Sequence, residues 1–214
     1  VAQTEVRATP GIAGCKSKIA AYNVLSVPQV RLFLAATFPR DVLDDVNARV
    51  NRVRSKLPAA SWVKPESQHL TFAFLGDQPD ALVDTLAPLV EEQLAGVPAF
   101  EGHLGGCGFF PNSRHARVAW VGVTPEDNFR AVAEAVRAAV KEAGVELDRA
   151  DFKPHLTLAR IRDTWPPLCV ETYYNALRSY ESAPFALEHV TLFSSKLDPN
   201  GAIHTPVRVF TLPT

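Results

Sequence analysis

The tripeptide His-Leu-Thr occurs at residues 69–71 and again at 155–157, 86 residues later. Histidine titrates near pH 6.5, so one imidazole of a pair can be protonated at neutral pH while the other is neutral. In-line displacement at phosphorus needs that combination. A base on one side activates water, and an acid on the other protonates the leaving oxygen. A threonine hydroxyl can donate to the non-bridging phosphate oxygens, where negative charge has to be held. His69 and His155 are therefore the candidate acid–base pair, and Thr71 and Thr157 the candidate phosphate-binding residues. Arg160 is a further candidate for the phosphate. It lies five residues after His155, a spacing that faces it away from the histidine on an ideal strand. A bulge or the strand end has to turn it back.

The 86-residue offset also aligns what surrounds the tripeptides. Arg31 falls on Arg117, Pro39 on Pro125, Asp41 on Asp127, Val46 on Val132, Val50 on Val136 and Ala73 on Ala159. One His-x-Thr is a weak motif; two with matched flanks indicate an internal duplication in which each half delivers one histidine and one threonine. Two halves related by a pseudo-twofold would set these residues on either side of one cleft.

Residues i and i+2 of a strand share a face. His69 and Thr71 are expected on one face of their strand, with Leu70, Phe72 and Phe74 on the other. His155 and Thr157 are expected opposite Leu156 and Leu158. The rest of the chain supplies the frame. Residues 29–38 are short and apolar, as a buried strand is. Pro39 opens a helix with Leu43, Val46, Val50 and Val53 at helical spacing. Residues 62–65 read as a short extended piece, 68–75 as a strand ended by Gly76-Asp77, and 79–94 as a second helix. The glycine-rich stretch 99–111 has no GxxxxGK[ST] pattern and no following helix, so it reads as a bent strand and turn rather than a phosphate loop. The second half repeats the plan: strand 117–123, helix 126–143 stopped by Gly144, strand 154–161 and a short helix 168–177. Two closing strands, 185–194 and 206–212, flank a turn at 198–201. The expected fold class is mixed α/β (α+β), with mostly antiparallel sheets and four helices.

Residues 1–28 do not fit the duplication and read as an N-terminal extension of low order, with a short helix near 17–25. Residues 29–214 read as one bilobal domain. Apolar residues make up 47% and charged residues 21% of the chain, and the formal net charge is -1. That balance argues against a strongly electrostatic, non-specific nucleic-acid binder but leaves room for a small phosphate or RNA-end site. No apolar run reaches membrane-spanning length, and no membrane partner is expected. Cys15, Cys107 and Cys169 are widely spaced with no CxxC, the usage of free thiols in a reducing cytoplasm. No HExxH, His-x-His or Cys/His cluster at zinc spacing occurs, so neither a metal nor a cofactor is expected. No GxSxG occurs either. His103, His115, His189 and His204 have no repeat partner and read as structural or exposed. Trp62, Phe109, Phe110 and Trp120 read as core or rim packing rather than platforms for a base.

At the two His-Leu-Thr motifs the sequence resembles the 2H phosphoesterase superfamily. The match is closest to its RNA 2′,3′-cyclic phosphodiesterase branch, the 2′-5′ RNA ligase-like proteins. The resemblance is carried by RLFLAATFPRDV (31–42), HLTFAFLGD (69–77), LGGCGFFP (104–111), RVAWVGV (117–123), FKPHLTLAR (152–160) and VTLFSSKL (190–197). It implies a bilobal fold with two antiparallel sheets around a central cleft and helices outside. It also implies metal-independent hydrolysis of RNA 2′,3′-cyclic phosphate ends to 2′-phosphomonoesters. On that resemblance His69 is the general acid, His155 the general base, Thr71 and Thr157 bind the phosphate, and Arg160 matches the arginine of the second motif. The partners implied are RNA ends or nucleotides bearing the cyclic phosphate, bound by a cytoplasmic monomer with no obligate protein partner. Near the C-terminus His204 stands where the branch often has an aromatic residue, and no role is carried onto it. Reversible 2′-5′ end ligation in the same cleft, and a binding module without turnover, remain the alternatives.

Overall fold

The computed structural model describes residues 28–148, 151–198 and 201–214. The expected helix near 17–25, Cys15, and Pro199 and Asn200 of the expected turn lie outside these residues. Two antiparallel sheets make the framework. The first has the order β3-β1-β8-β9 and comprises β1 (Gln29–Ala36), β3 (Leu70–Pro79), β8 (His189–Lys196) and β9 (Ile203–Thr211). The second has the order β2-β6-β5-β4-β7. It comprises β2 (Ser61–Trp62), β4 (Phe100–Phe110), β5 (Val118–Thr124), β6 (His155–Arg160) and β7 (Phe185–Leu187). Four α-helices, α1 (Arg40–Arg54), α2 (Leu82–Leu94), α3 (Glu126–Glu142) and α4 (Pro167–Leu177), and two 3-10 turns, Pro65–Ser67 and Ser113–His115, complete the regular structure of the described residues.

The duplication becomes architecture here. In each half a strand, a helix and a returning strand form one unit, β1–α1–β3 and β5–α3–β6, with antiparallel pairing of the two strands. The helices bury the stripes that their spacing predicts: Val42, Leu43, Val46 and Val50 on α1, and Phe129, Val132, Val136 and Val140 on α3. Those stripes pack in one continuous apolar core with the inward faces of both sheets. The glycine-rich stretch is strand β4, paired with β5 and β7, with Gly106 (φ 66) at a bulge. No phosphate loop forms there.

Three expectations need correction. Gly76 does not end its strand. Its positive φ of 73 accommodates a bulge, and the pairings Leu32↔Gly76 and Phe33↔Phe74 leave Leu75 as the extra residue while β3 runs on to Pro79. Phe74 does not share a face with Leu70 and Phe72. A second bulge at Phe72 reverses the alternation, and Phe74 is 54% exposed. The stretch 185–194 is not one strand. Glu188 and His189 are both exposed, which breaks the period of two, and the chain crosses there from the five-stranded sheet (β7 on β4) to the four-stranded sheet (β8 on β1 and β9).

Gly108 shows how closely the second sheet is fitted to its aromatic residues. It lies opposite Trp120 across β4 and β5, and a Cβ there would stand 2.3 Å from Trp120 Cζ2. Gly108→Ala is therefore expected to destabilise the protein by about 1–3 kcal/mol through overpacking. Because Trp120 also touches the His155 ring, activity is expected to fall with stability. Thermal melting beside a rate assay checks this; an unchanged melting temperature would show that the indole can move aside.

Candidate active site

Both histidines are oriented by their own chain. His69 Nδ1 lies 2.8 Å from the carbonyl oxygen of Ser67, and His155 Nδ1 lies 2.7 Å from that of Lys153. A carbonyl only accepts, so Nδ1 carries the hydrogen in both rings, and Nε2 is left to exchange a proton with a ligand. Ser67 and Lys153 are themselves 86 residues apart. The tether is thus part of the duplicated unit.

The strand geometry that brings in Arg160 is duplicated as well. In β6 the pairings Ala119↔Ala159 and Trp120↔Thr157 leave Leu158 unpaired. In β3 the pairings Leu34↔Ala73 and Ala35↔Thr71 leave Phe72 unpaired. These two bulged residues occupy corresponding places in the repeat. The bulge restores Arg160 to the face of His155 and Thr157, as the odd spacing required. One cavity of about 780 Å³ is lined by His69, Thr71, His155, Thr157 and Arg160, with Trp62 and His204 on its walls. All five candidate residues thus come from β3, β6 and the segment entering β3, and all meet at one space between the sheets.

The walls behind the two rings differ. His69 packs on Phe33, with ring centroids 4.9 Å apart, and receives His204 edge-on at 5.1 Å. His155 packs against the edge of Phe110 at 4.8 Å and against Trp120 at 6.2 Å, with the Lys153 ammonium over the Trp120 face. Phe109 and Trp120 are buried, as their packing role predicts. His204 is not a bystander. It comes from β9, far from both motifs in sequence, and its buried Nδ1 has no hydrogen-bond partner among the described residues. Its departure from the aromatic residue of the resembled branch was the only signal that marked it.

Burial sets the protonation of both rings. Desolvation drives His69 down to about 4, opposed by the Ser67 hydrogen bond and reinforced by the positive charges of His204, Arg160 and His155. Burial also lowers His155, opposed by the bond to the Lys153 carbonyl and reinforced by the Lys153 ammonium. Left to the protein's own groups, both imidazoles are neutral at pH 7. Protonating either ring at that pH takes a negative charge that the protein's own groups do not supply. Among the described residues, no cluster of three or more His, Cys, Asp or Glu side chains could hold a metal ion. Cys107 and Cys169 are free thiols. Among the described residues, no helix is long and apolar enough to cross a membrane.

The family model for the 2′-5′ RNA ligase superfamily matches residues 42–199, a span that contains both His-Leu-Thr motifs and Arg160. The chain belongs to the 2′-5′ RNA ligase superfamily. Within it, the chain is 34% identical over 189 residues to the RNA 2′,3′-cyclic phosphodiesterase of Archaeoglobus fulgidus, covering 85% of this chain and 99% of that relative. To the protein of the same name from Thermus thermophilus it is 33% identical over 193 residues, covering 86% and 90%. A crystal structure of a Thermus thermophilus protein superposes with a TM-score of 0.66 at 29% identity, covering 85% of this chain and 97% of that one. Escherichia coli LigT complexed with 3′-AMP superposes with a TM-score of 0.67 at 22% identity, covering 87% and 100%, and shares the fold. The superfamily's two antiparallel sheets with helices outside are the architecture described above.

Helix α1 fixes the entry into β3 through a reciprocal amide pair. Asn47 Nδ2 donates to Gln68 Oε1 at 2.8 Å, and Gln68 Nε2 donates to Asn47 Oδ1 at 3.0 Å and to the Val63 carbonyl at 3.2 Å. Gln68 is 4% exposed and immediately precedes His69. Gln68→Leu leaves buried polar partners unmade, with an expected cost of about 1–3 kcal/mol. The seat of His69 loosens with it, so kcat is expected to fall by more than the melting temperature alone explains. An unchanged kcat in a folded Gln68→Leu variant would show that the amide pair does not position the ring.

Proposed function

We propose that this protein hydrolyses RNA 2′,3′-cyclic phosphate ends to 2′-phosphomonoesters, with His69 as general acid and His155 as general base and without a metal ion. The observation that carries the reading is the pair of Nδ1-tethered imidazoles on one cavity with two threonines and an arginine. Relatives of the same superfamily named RNA 2′,3′-cyclic phosphodiesterase, alike over most of their length, support the substrate class.

The chemistry balances with these residues. Neutral His155 Nε2 takes a proton from water as the water oxygen bonds to phosphorus. The bond from phosphorus to the 3′ oxygen breaks, and His69 Nε2–H gives its proton to that oxygen. The product carries a 2′-phosphate and a 3′-hydroxyl, and both histidines return to their starting states by exchange with solvent. The Thr71 and Thr157 hydroxyls and the Arg160 guanidinium donate to the non-bridging oxygens as charge builds on them. The phosphate anion also does what the protein's own groups do not. A negative charge beside His69 raises its affinity for a proton and so arms the acid when substrate is bound.

Product analysis on an oligonucleotide ending in a 2′,3′-cyclic phosphate, with and without EDTA, tests the reading. A 2′-phosphate product formed equally fast in chelator is expected. His69→Ala and His155→Ala are each expected to lower kcat by about 10²–10⁴-fold. Full activity of the double variant sinks the proposal, and loss of wild-type activity in EDTA sinks its metal-free form.

The two pH profiles make a separate test. The kcat/KM profile reports free protein, and the kcat profile reports the complex. His69 must be protonated to act, and bound phosphate raises it from about 4. The alkaline limb of kcat is therefore expected at higher pH than that of kcat/KM. Coincident alkaline limbs would count against His69 as the acid.

A further inference from the structure

A second cavity, of about 590 Å³, lies beside α4 on the five-stranded-sheet side of the molecule. Its size suits a nucleotide-sized ligand. Its lining includes Arg114, Trp165, Glu171, Tyr174, Asn175 and Arg178. Arg114 follows β4, where the Asn112 side chain accepts from the backbone N–H groups of Arg114 and His115, both at 3.0 Å, and so fixes the turn. Arg178 closes α4. Both guanidinium groups are exposed, and among the described residues neither is within ion-pair distance of a carboxylate. Glu171 is the sole acidic residue of the lining, so the cavity carries a net positive charge. Trp165 is 2% exposed, yet its indole N–H has no acceptor among the described residues.

One chain segment, residues 160–165, runs from the histidine site to this cavity. Arg160 lines the first cavity, and Thr164 and Trp165, at the end of the same segment, line the second. Five residues of extended chain reach about 18 Å at most, which a few nucleotides of single strand can follow. Trp62 lines the first cavity, and its ring centroid lies 6.2 Å from that of Trp165. The Arg54 guanidinium sits over Trp62 at 5.1 Å. The two cavities are thus neighbours separated by the Trp62–Trp165 pair, with Arg54 beside it.

We propose that the cavity beside α4 is a second nucleotide subsite, which holds a nucleotide of the RNA strand upstream of the cyclic phosphate end bound at His69 and His155. The proposal rests on the hydrolysis proposed above for its description of the RNA. Arg114 and Arg178 hold the phosphates of that nucleotide, Tyr174 offers a face for its base, and the Asn175 amide can pair with a base edge.

The test compares a 2′,3′-cyclic mononucleotide with an oligonucleotide of the same cyclic end, long enough to span both cavities. In the Arg114→Glu/Arg178→Glu variant, KM for the oligonucleotide is expected to rise at least tenfold with kcat unchanged. The KM for the mononucleotide is expected to stay as in the wild type, which also shows that the variant folds. An oligonucleotide KM that does not change, or one that rises equally for both substrates, overturns the subsite. Anisotropy of a 5′-labelled oligonucleotide repeats the comparison without turnover. If the wild type hydrolyses neither substrate, the proposed activity fails, and the tenfold loss of oligonucleotide affinity, or its absence, decides the subsite by itself.

Discussion

A carbonyl two residues earlier on the same strand entry holds each site imidazole by Nδ1. Such a bond is local, so it orients the ring wherever the strand entry goes. It fixes the tautomer, leaves Nε2 for the ligand and recurs in both halves at the same offset. The remainder of the fold sets two such strand entries facing each other across one cavity. Pairing β1 with β3 in one sheet and β5 with β6 in the other does this, because each returning strand begins beside the cavity. The amide pair of Asn47 and Gln68 then locks one entry to its helix.

The repeat is kept in backbone geometry and broken in side chains. Both returning strands bulge one residue after the threonine, at Phe72 and at Leu158, so both turn the residue two places beyond the bulge onto the face of the histidine and threonine. In β6 that residue is Arg160, which lines the cavity. In β3 it is Phe74, which takes the Arg31 guanidinium over its ring instead. Likewise His69 meets Phe33 and His204, where His155 meets Phe110 and Trp120. Identical tripeptides thus sit in unlike surroundings, which is what a division into acid and base requires.

Much of this is legible in the sequence because it rests on local periodicity. The stripes of α1 and α3, the shared face of each His-x-Thr, and the strand character of the glycine-rich stretch all follow from spacing within a few residues. What escapes a reading of the sequence rests on pairing between distant segments. The Phe72 bulge is a property of how β3 meets β1, so simple alternation puts Phe74 on the wrong face. The crossing at Glu188-His189 separates β7 from β8, and only the interruption of alternation foretells it. His204 reaches His69 from β9, and no motif near either histidine points to it. Arg160 is the intermediate case: its odd spacing calls for a bulge or the strand end, and Leu158 supplies a bulge.

The depressed proton affinity of His69 bears directly on the acid assignment. Holding a proton at pH 7 on a group that titrates near 4 costs about 4 kcal/mol, at 1.36 kcal/mol per unit. A unit negative charge about 4 Å away contributes about 4 kcal/mol in a partly solvated protein site. The phosphate that would be cleaved is therefore about sufficient to protonate the acid that would cleave it. The same balance argues against a His69 that stays charged without substrate, because Arg160, His204 and a protonated His155 would all oppose it. An acid armed by its own substrate keeps the cavity free of a further positive charge until the anion arrives. On the proposed mechanism, burial of a histidine is thereby compatible with acid catalysis: what burial removes, the substrate's own charge would restore.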